Sequence, residues 1–283
     1  MRGLMLCFLA VAVLVVGLPI AAKNGVANEG APRIEVFTDG SVCEIDVEEY
    51  VARVLAHEVE DLKELEALKS LAVAARSSAL YITLYGCKHA SFDVCDDKNC
   101  CFGLGDLDKL NESDVELVCE AVDATRGLAL TVESYPAMAL YCECASSGSR
   151  DNQEFLYLTA VAEEKPCEEH IYEVFLEKES FFEQIGSEKG EFYLVYGKNS
   201  KCDFAIIDGI VVMGADITKK LELKSSEIII EQGDEVKCLS FGEGHGYGLS
   251  LCGAKRMAKI GLGYEKILEF YFPKLSLDKI YAY

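Results

Sequence analysis

The sequence is short of positive charge. Lys and Arg number 27 against 48 Asp and Glu, giving a net charge of −21 over 283 residues. So acidic a surface repels phosphate backbones and excludes nucleic acid as a partner. It also disfavours docking on anionic lipid, whereas a neutral or thinly charged polymer such as a glycan tolerates it. Internal repeats and low-complexity tracts are missing as well, so the chain does not read as a repeat array or a disordered tail.

Charge is absent altogether from Leu4 to Ala22, a run that is apolar apart from Gly17 and Pro19. Its length approaches the ~20 residues that span a bilayer, and it also fits a secretory leader. No clean small-x-small cleavage site follows, which favours a retained anchor. A single cation before it, Arg2, favours export of what comes after. Residues 1–23 are therefore expected to be a signal peptide or membrane anchor, 24–33 a linker, and 34–283 a folded domain outside the cytoplasm, anchored or secreted. With 51% hydrophobic residues, that domain is large enough for one broad core or two lobes.

What the chain does have begins with a carboxylate in an apolar place. Val47, Val51, Val54 and Leu55 recur at helical spacing and form one stripe. Glu58 follows Val54 by four and Leu55 by three, so it lands on the same stripe. Such a group is turned to solvent at the helix end, paired with a base, or used chemically. Desolvation raises a carboxyl toward the range where it donates a proton near neutral pH. Leu65, Leu68, Ala72, Ala75 and Ala79 then predict a second helix over Glu64–Tyr85. Lys69 and Arg76 lie two turns apart on it, and a helical hairpin is expected to bring their face toward the first helix. Asp61, one turn from Glu58, reads as a solvated end residue.

Downstream, Ala137–Tyr141 reads as a strand and Asp106–Glu120 as a solvated helix face. Strands are predicted at Phe192–Tyr196, Phe204–Met213, Ile228–Glu231 and Val236–Phe241, with turns at Gly197, Gly209, Gly214 and Gly233. Helices close the chain over Lys255–Ile260 and around Tyr264–Phe272. Helices followed by strands argue for an α+β fold rather than a doubly wound sheet.

Three blocks carry a family resemblance. Glu49-Tyr50-Val51, His57-Glu58, Glu66-Ala67-Leu68-Lys69 and Ala72-Val73-Ala74-Ala75-Arg76 resemble, without a gap between Glu58 and Arg76, the opening motif of the stage II sporulation protein D family, which includes amidase-enhancer proteins. Val59-Glu60, Lys63-Glu64 and Leu71 depart from its usual residues. Gly242 to Ala254, with four glycines around His245, resembles the family's glycine-rich block, and Tyr141 to Arg150 resembles more loosely its serine-glycine loop. The resemblance spans about residues 34–283.

The resemblance implies a peptidoglycan lytic transglycosylase working on glycan strands stripped of stem peptides. Glu58 would be the single acid/base. Lys69 and Arg76 would position substrate or tune Glu58, and Ser146, Gly148, His245 and Ser250 would contact sugar. In the enhancer branch, the same fold would bind glycan without turnover and stimulate a cell-wall amidase. A third alternative is an anchored, metal-binding or disulfide-braced structural protein. Cys87 to Cys101 packs thiols and an imidazole into fifteen residues, the ligand set of a structural zinc clip. The family's His–Cys–Cys spacing picks His89, Cys95 and Cys101, with Cys87 and Cys100 as further candidates. Disulfides are the alternative use of such a cluster, and the chain has 13 cysteines in all. Cys142 and Cys144 alternate along a strand and so face one side, as metal ligands or buried thiols.

Overall fold

The structure, a computed structural model, describes residues 30–97, 100–163 and 168–281. The leader expected over 1–23 lies outside the described residues. Among those described, no helix is long and apolar enough to cross a membrane.

The described chain opens on an antiparallel hairpin, β1 (Arg33–Thr38) and β2 (Ser41–Asp46), turned at Asp39-Gly40 where both residues have positive φ. Asp46 then caps α1 (Val47–Glu58) by accepting from the Glu48 amide at 2.7 Å. The apolar stripe of α1 is buried as its spacing predicts, with Val51, Val54 and Leu55 fully enclosed. The second helix, α2 (Leu65–Tyr85), matches its expected bounds to one residue. Its Ala-rich sequence lets neighbours approach on every side, and Ser70 through Leu80 are all buried. It is the axis of the larger core.

β3 (Val94–Cys95) joins β1 in parallel, and α3 (Glu112–Thr125) packs against α1 and α2. The acidic face of α3 is solvated at Glu112, Glu116 and Glu120 as predicted, but Asp114 turns inward to Lys63 at 2.6 Å. β4 (Leu128–Val132) and β5 (Tyr135–Pro136) follow. The strand predicted over Ala137–Tyr141 is shorter than its pattern suggested, pairing only as β6 (Tyr141–Cys142).

A second core is built from β7 (Ile171–Glu177), α4 (Lys178–Ile185), β8 (Phe192–Tyr196), β9 (Cys202–Ile207), β10 (Ile210–Met213), α5 (Gly214–Lys220), β11 (Glu227–Gln232) and β12 (Glu235–Phe241). Two three-stranded antiparallel sheets, β10-β9-β8 and β11-β12-β7, enclose Phe181, Ile185, Ile217 and Val236. The strand run expected over Phe204–Met213, with its turn at Gly209, is a hairpin. Asp208-Gly209 turns it with φ 52° and 86°, the paired positive values of a two-residue hairpin loop. Gly214, expected as a turn, begins α5.

The chain then returns to the first core through β13 (Leu249–Ser250), α6 (Leu251–Lys259), α7 (Tyr264–Tyr271) and β14 (Ser276–Lys279). β13 pairs in parallel with β6, and β14 pairs with β4. The fold is α+β, with helices concentrated in the first core and at the chain's return, and small sheets between.

Candidate functional site

Glu58 is the last residue of α1 and half-buried. Two segments distant in sequence fix it. Phe102–Gly105 wraps the final turn of α1, with the Gly105 amide donating to the Arg53 carbonyl at 2.7 Å. A side chain at Gly105 would meet the backbone of Ala56 and His57 at 2.5 Å, so only glycine permits this approach. From the other side, the Tyr141 hydroxyl donates to Glu58 Oε1 at 3.0 Å, its ring packed on Phe102 with centroids 4.7 Å apart. Burial, then the Glu58 charge, hold the Tyr141 hydroxyl well above its ordinary pKa, so it stays a donor.

Glu58 opens into a cleft of about 1190 Å³, whose lining includes Asp61, Glu143, His245, Tyr247 and Lys255. Burial first, and then the charge on Glu58, push the Glu143 carboxyl above its ordinary value, with His170 opposing. Sequence reasoning missed Glu143. The signal was present: on an extended segment residues two apart share a face, so Glu143 follows Tyr141 to the cleft. Its nearness to Glu58, however, depends on the long-range pairing of β6 with β13.

His245 also lines the cleft. The Tyr247 amide donates to its Nδ1 at 3.0 Å, and the ring itself donates to the Tyr141 carbonyl. Although much of its surface is open to the cleft, the crowding protein disfavours the imidazolium, and Arg150 adds repulsion; its pKa is pushed down to about 4. A neutral ring thus ties the glycine-rich segment to the strand that carries Tyr141. The glycines serve the same end. Gly242 and Gly248, at φ 88° and 69°, lie so close to the carbonyls of Cys144 and Leu140 that no side chain fits. They bring the protein's own backbone together rather than a ligand.

Lys69 and Arg76 do not join Glu58 in the cleft lining. Arg76 is fully buried, with Nη2 2.5 Å from Glu48 Oε2 and Nη1 donating to the Leu128 carbonyl at 3.1 Å. Glu48 also accepts from the Gly127 amide at 3.0 Å and the Tyr281 hydroxyl at 2.7 Å. The reason is the antiparallel hairpin: Arg76 meets the first turn of α1, ten residues or about 15 Å of helix from Glu58. Lys69 pairs with Glu66 at 2.7 Å, and Glu66 in turn caps the Tyr264 amide at 2.8 Å.

Ser146, Gly148 and Ser250 are likewise interior. Ser250 caps α6 through the Gly253 amide and holds the Ala145 amide at 3.1 Å. Gly148 lies against the Val161 carbonyl. Ser146, at φ 55°, is enclosed and its hydroxyl finds no partner among the described residues. None of the three is among the residues that line the cleft.

The thiols are better gathered than their spacing suggests. One ligand atom each from His89, Cys95, Cys100 and Cys101 lie within 4.8 Å of one another. Cys100 and Cys101 Sγ are each 3.4 Å from His89 Nε2 and 4.0 Å from each other. A tetrahedral zinc with ordinary bond lengths requires about 3.5 Å between sulfur and nitrogen and about 3.8 Å between sulfurs. The donor set fits. Cys100 completes it, while Cys87 stands outside, its sulfur accepting from the His89 amide at 3.2 Å and so shaping the loop. Burial, then the neighbouring sulfurs, push the Cys101 thiol up to about 12. A divalent cation relieves that penalty. A second group, Cys144, His170 and Cys252, meets the same 4.8 Å limit.

Comparison with known proteins agrees with the resemblance. The model of the SpoIID family, described as stage II sporulation protein, matches residues 38–132. An uncharacterised protein of Brachyspira hyodysenteriae is 28% identical over 88% of this chain and 72% of its own. Stage II sporulation protein D of Bacillus subtilis is 26% identical over 86% of this chain and 77% of its own. Its counterpart in Bacillus amyloliquefaciens is 24% identical over 84% and 76%.

Proposed function

The chain belongs to the stage II sporulation protein D family, and from that premise we propose that it is a peptidoglycan lytic transglycosylase in sporulation-related remodelling of the cell wall. Glu58 protonates the glycosidic oxygen between N-acetylmuramic acid and N-acetylglucosamine. The same group, now a carboxylate, takes the proton of the muramyl 6-hydroxyl as that oxygen attacks the anomeric carbon. The products are a free N-acetylglucosamine end and a 1,6-anhydro end, and no water is consumed.

The observation that carries this reading is Glu58 itself: half-buried, oriented by Tyr141, and opening into a cleft large enough for several sugars. The acidic lining favours glycan stripped of its anionic stem peptides. An amidase acting on the same wall would supply such strands, and the apolar leader would hold the domain at the outer face of the membrane. Zinc in the clip of His89, Cys95, Cys100 and Cys101 would be structural, since it tethers the Phe102–Gly105 segment that wraps the end of α1.

Glu143 supports a second reading. Two carboxyl groups that influence each other across a cleft are what ordinary glycoside hydrolysis needs, one to protonate and one to activate water. Mass spectrometry of products from denuded glycan separates the two. Anhydro ends support the transglycosylase and free reducing ends the hydrolase. Binding without turnover points to an amidase enhancer, and no binding to a structural protein.

A further inference from the structure

Besides the clip, the described residues hold one other group of soft ligands. Cys144 follows β6, His170 precedes β7, and Cys252 sits in the first turn of α6. One donor atom from each lies within 4.8 Å of the other two, and Cys252 Sγ is 3.6 Å from His170 Nδ1. That separation is close to the roughly 3.5 Å between sulfur and nitrogen on a tetrahedral zinc.

Backbone pairing holds the three in place. The Cys252 amide donates to the Glu143 carbonyl at 3.0 Å, and the Gly242 amide to that of His170 at 2.8 Å. Cys144 and Glu243 exchange both of their backbone hydrogen bonds. The sulfurs are buried, Cys144 at 1% and Cys252 at 8% exposure. The far nitrogen of His170 stands 4.0 Å from Glu143 Oε1. That is longer than a hydrogen bond, but it puts a carboxylate on the side where a metal-bound imidazole commonly hands off its other N–H.

We propose that Cys144, His170 and Cys252 form a second site for a thiophilic divalent cation of the zinc class, distinct from the clip. Two thiolates and an imidazole select such a cation over magnesium or calcium. Binding releases the thiol protons to solvent. His170 and Cys252 line the cleft with Glu143 and Glu243, so the site borders the space that holds Glu58.

The test uses the full chain, stripped of metal and reloaded with Zn²⁺ alone, and counts metal by elemental analysis. Cys252→Ser and His170→Gln should each lose one equivalent relative to the chain they are made in, whether that is the unaltered chain or Cys95→Ser. Comparing both backgrounds separates this site from the clip. Co²⁺ loaded into the Cys95→Ser chain, with these three ligands intact, should give tetrahedral d–d bands and thiolate-to-metal charge transfer. Unchanged stoichiometry in both variants, octahedral cobalt in that chain, or a Cys144–Cys252 disulfide in a non-reduced digest of the native protein would overturn the proposal.

Discussion

At the scale of single residues, the division of labour among charged groups is the informative result. Arg76 and Glu48 form a buried, multiply hydrogen-bonded pair in the core. Removing one partner strands the other charge, so Arg76→Ala should cost about 3–5 kcal/mol of stability, measured by denaturant unfolding. Burial alone would raise the Glu48 pKa, but its hydrogen bonds to Arg76, the Arg76 charge, Tyr281 and the Gly127 amide outweigh that and hold it below its ordinary 4.5. A depressed folded-state pKa adds stability that is present above 4.5 and lost as pH falls through the lower folded value. Melting temperature should therefore fall on acidification below that point. Replacing the pair together, Glu48→Gln with Arg76→Met, should flatten this part of the acid profile. An unchanged slope would show that other carboxylates carry it.

The same residues show where sequence reading stops. Lys69 and Arg76 share a helix face, as their spacing says. But α2 is buried on nearly every side, so a shared face does not reveal which neighbour it meets. The serines fail for a related reason. Ser146 and Ser250 sit in polar-looking motifs, yet their surroundings are set by β6, β13 and α6 closing over them.

At the scale of elements, legibility follows the range of the interactions. Local periodicity specified the buried stripe of α1, and α2 almost to the residue, as well as β8 and β12. The Asp208-Gly209 hairpin was also readable, because paired positive φ values have a sequence signature. The short parallel pairing of β6 with β13 carries no such signature, and it is what aligns Tyr141, Glu143 and His245. The clip belongs to this scale too. Holding a cation, it would anchor the segment before Gly105, which approaches α1 too closely for any side chain. Cys95→Ser should lower zinc content by one equivalent and raise amide exchange over residues 102–105; unchanged stoichiometry would remove the clip from the account. Gly105→Ala should destabilise by about 1–3 kcal/mol through overpacking, and should loosen Glu58 without touching the cleft.

At the scale of the whole molecule, charge would select among the proposed substrates. A net charge of −21 and an acid-lined cleft oppose carboxylate-bearing stem peptides. Affinity for strands that keep their peptides should rise with ionic strength as screening takes hold, while affinity for denuded strands should change little. Sedimentation of the protein with the two kinds of strand at low and high salt checks this. Equal salt dependence for both would argue against electrostatic selection.

The central claim is that one carboxyl group does the chemistry alone. It is tested most directly by digesting denuded glycan with the parent chain, Glu58→Gln and Glu143→Gln, and identifying fragment ends by mass spectrometry. The account predicts 1,6-anhydro ends from the parent chain, none from a normally folded Glu58→Gln, and anhydro ends still formed by Glu143→Gln. Turnover surviving in Glu58→Gln, or reducing ends that vanish with either substitution, would contradict it.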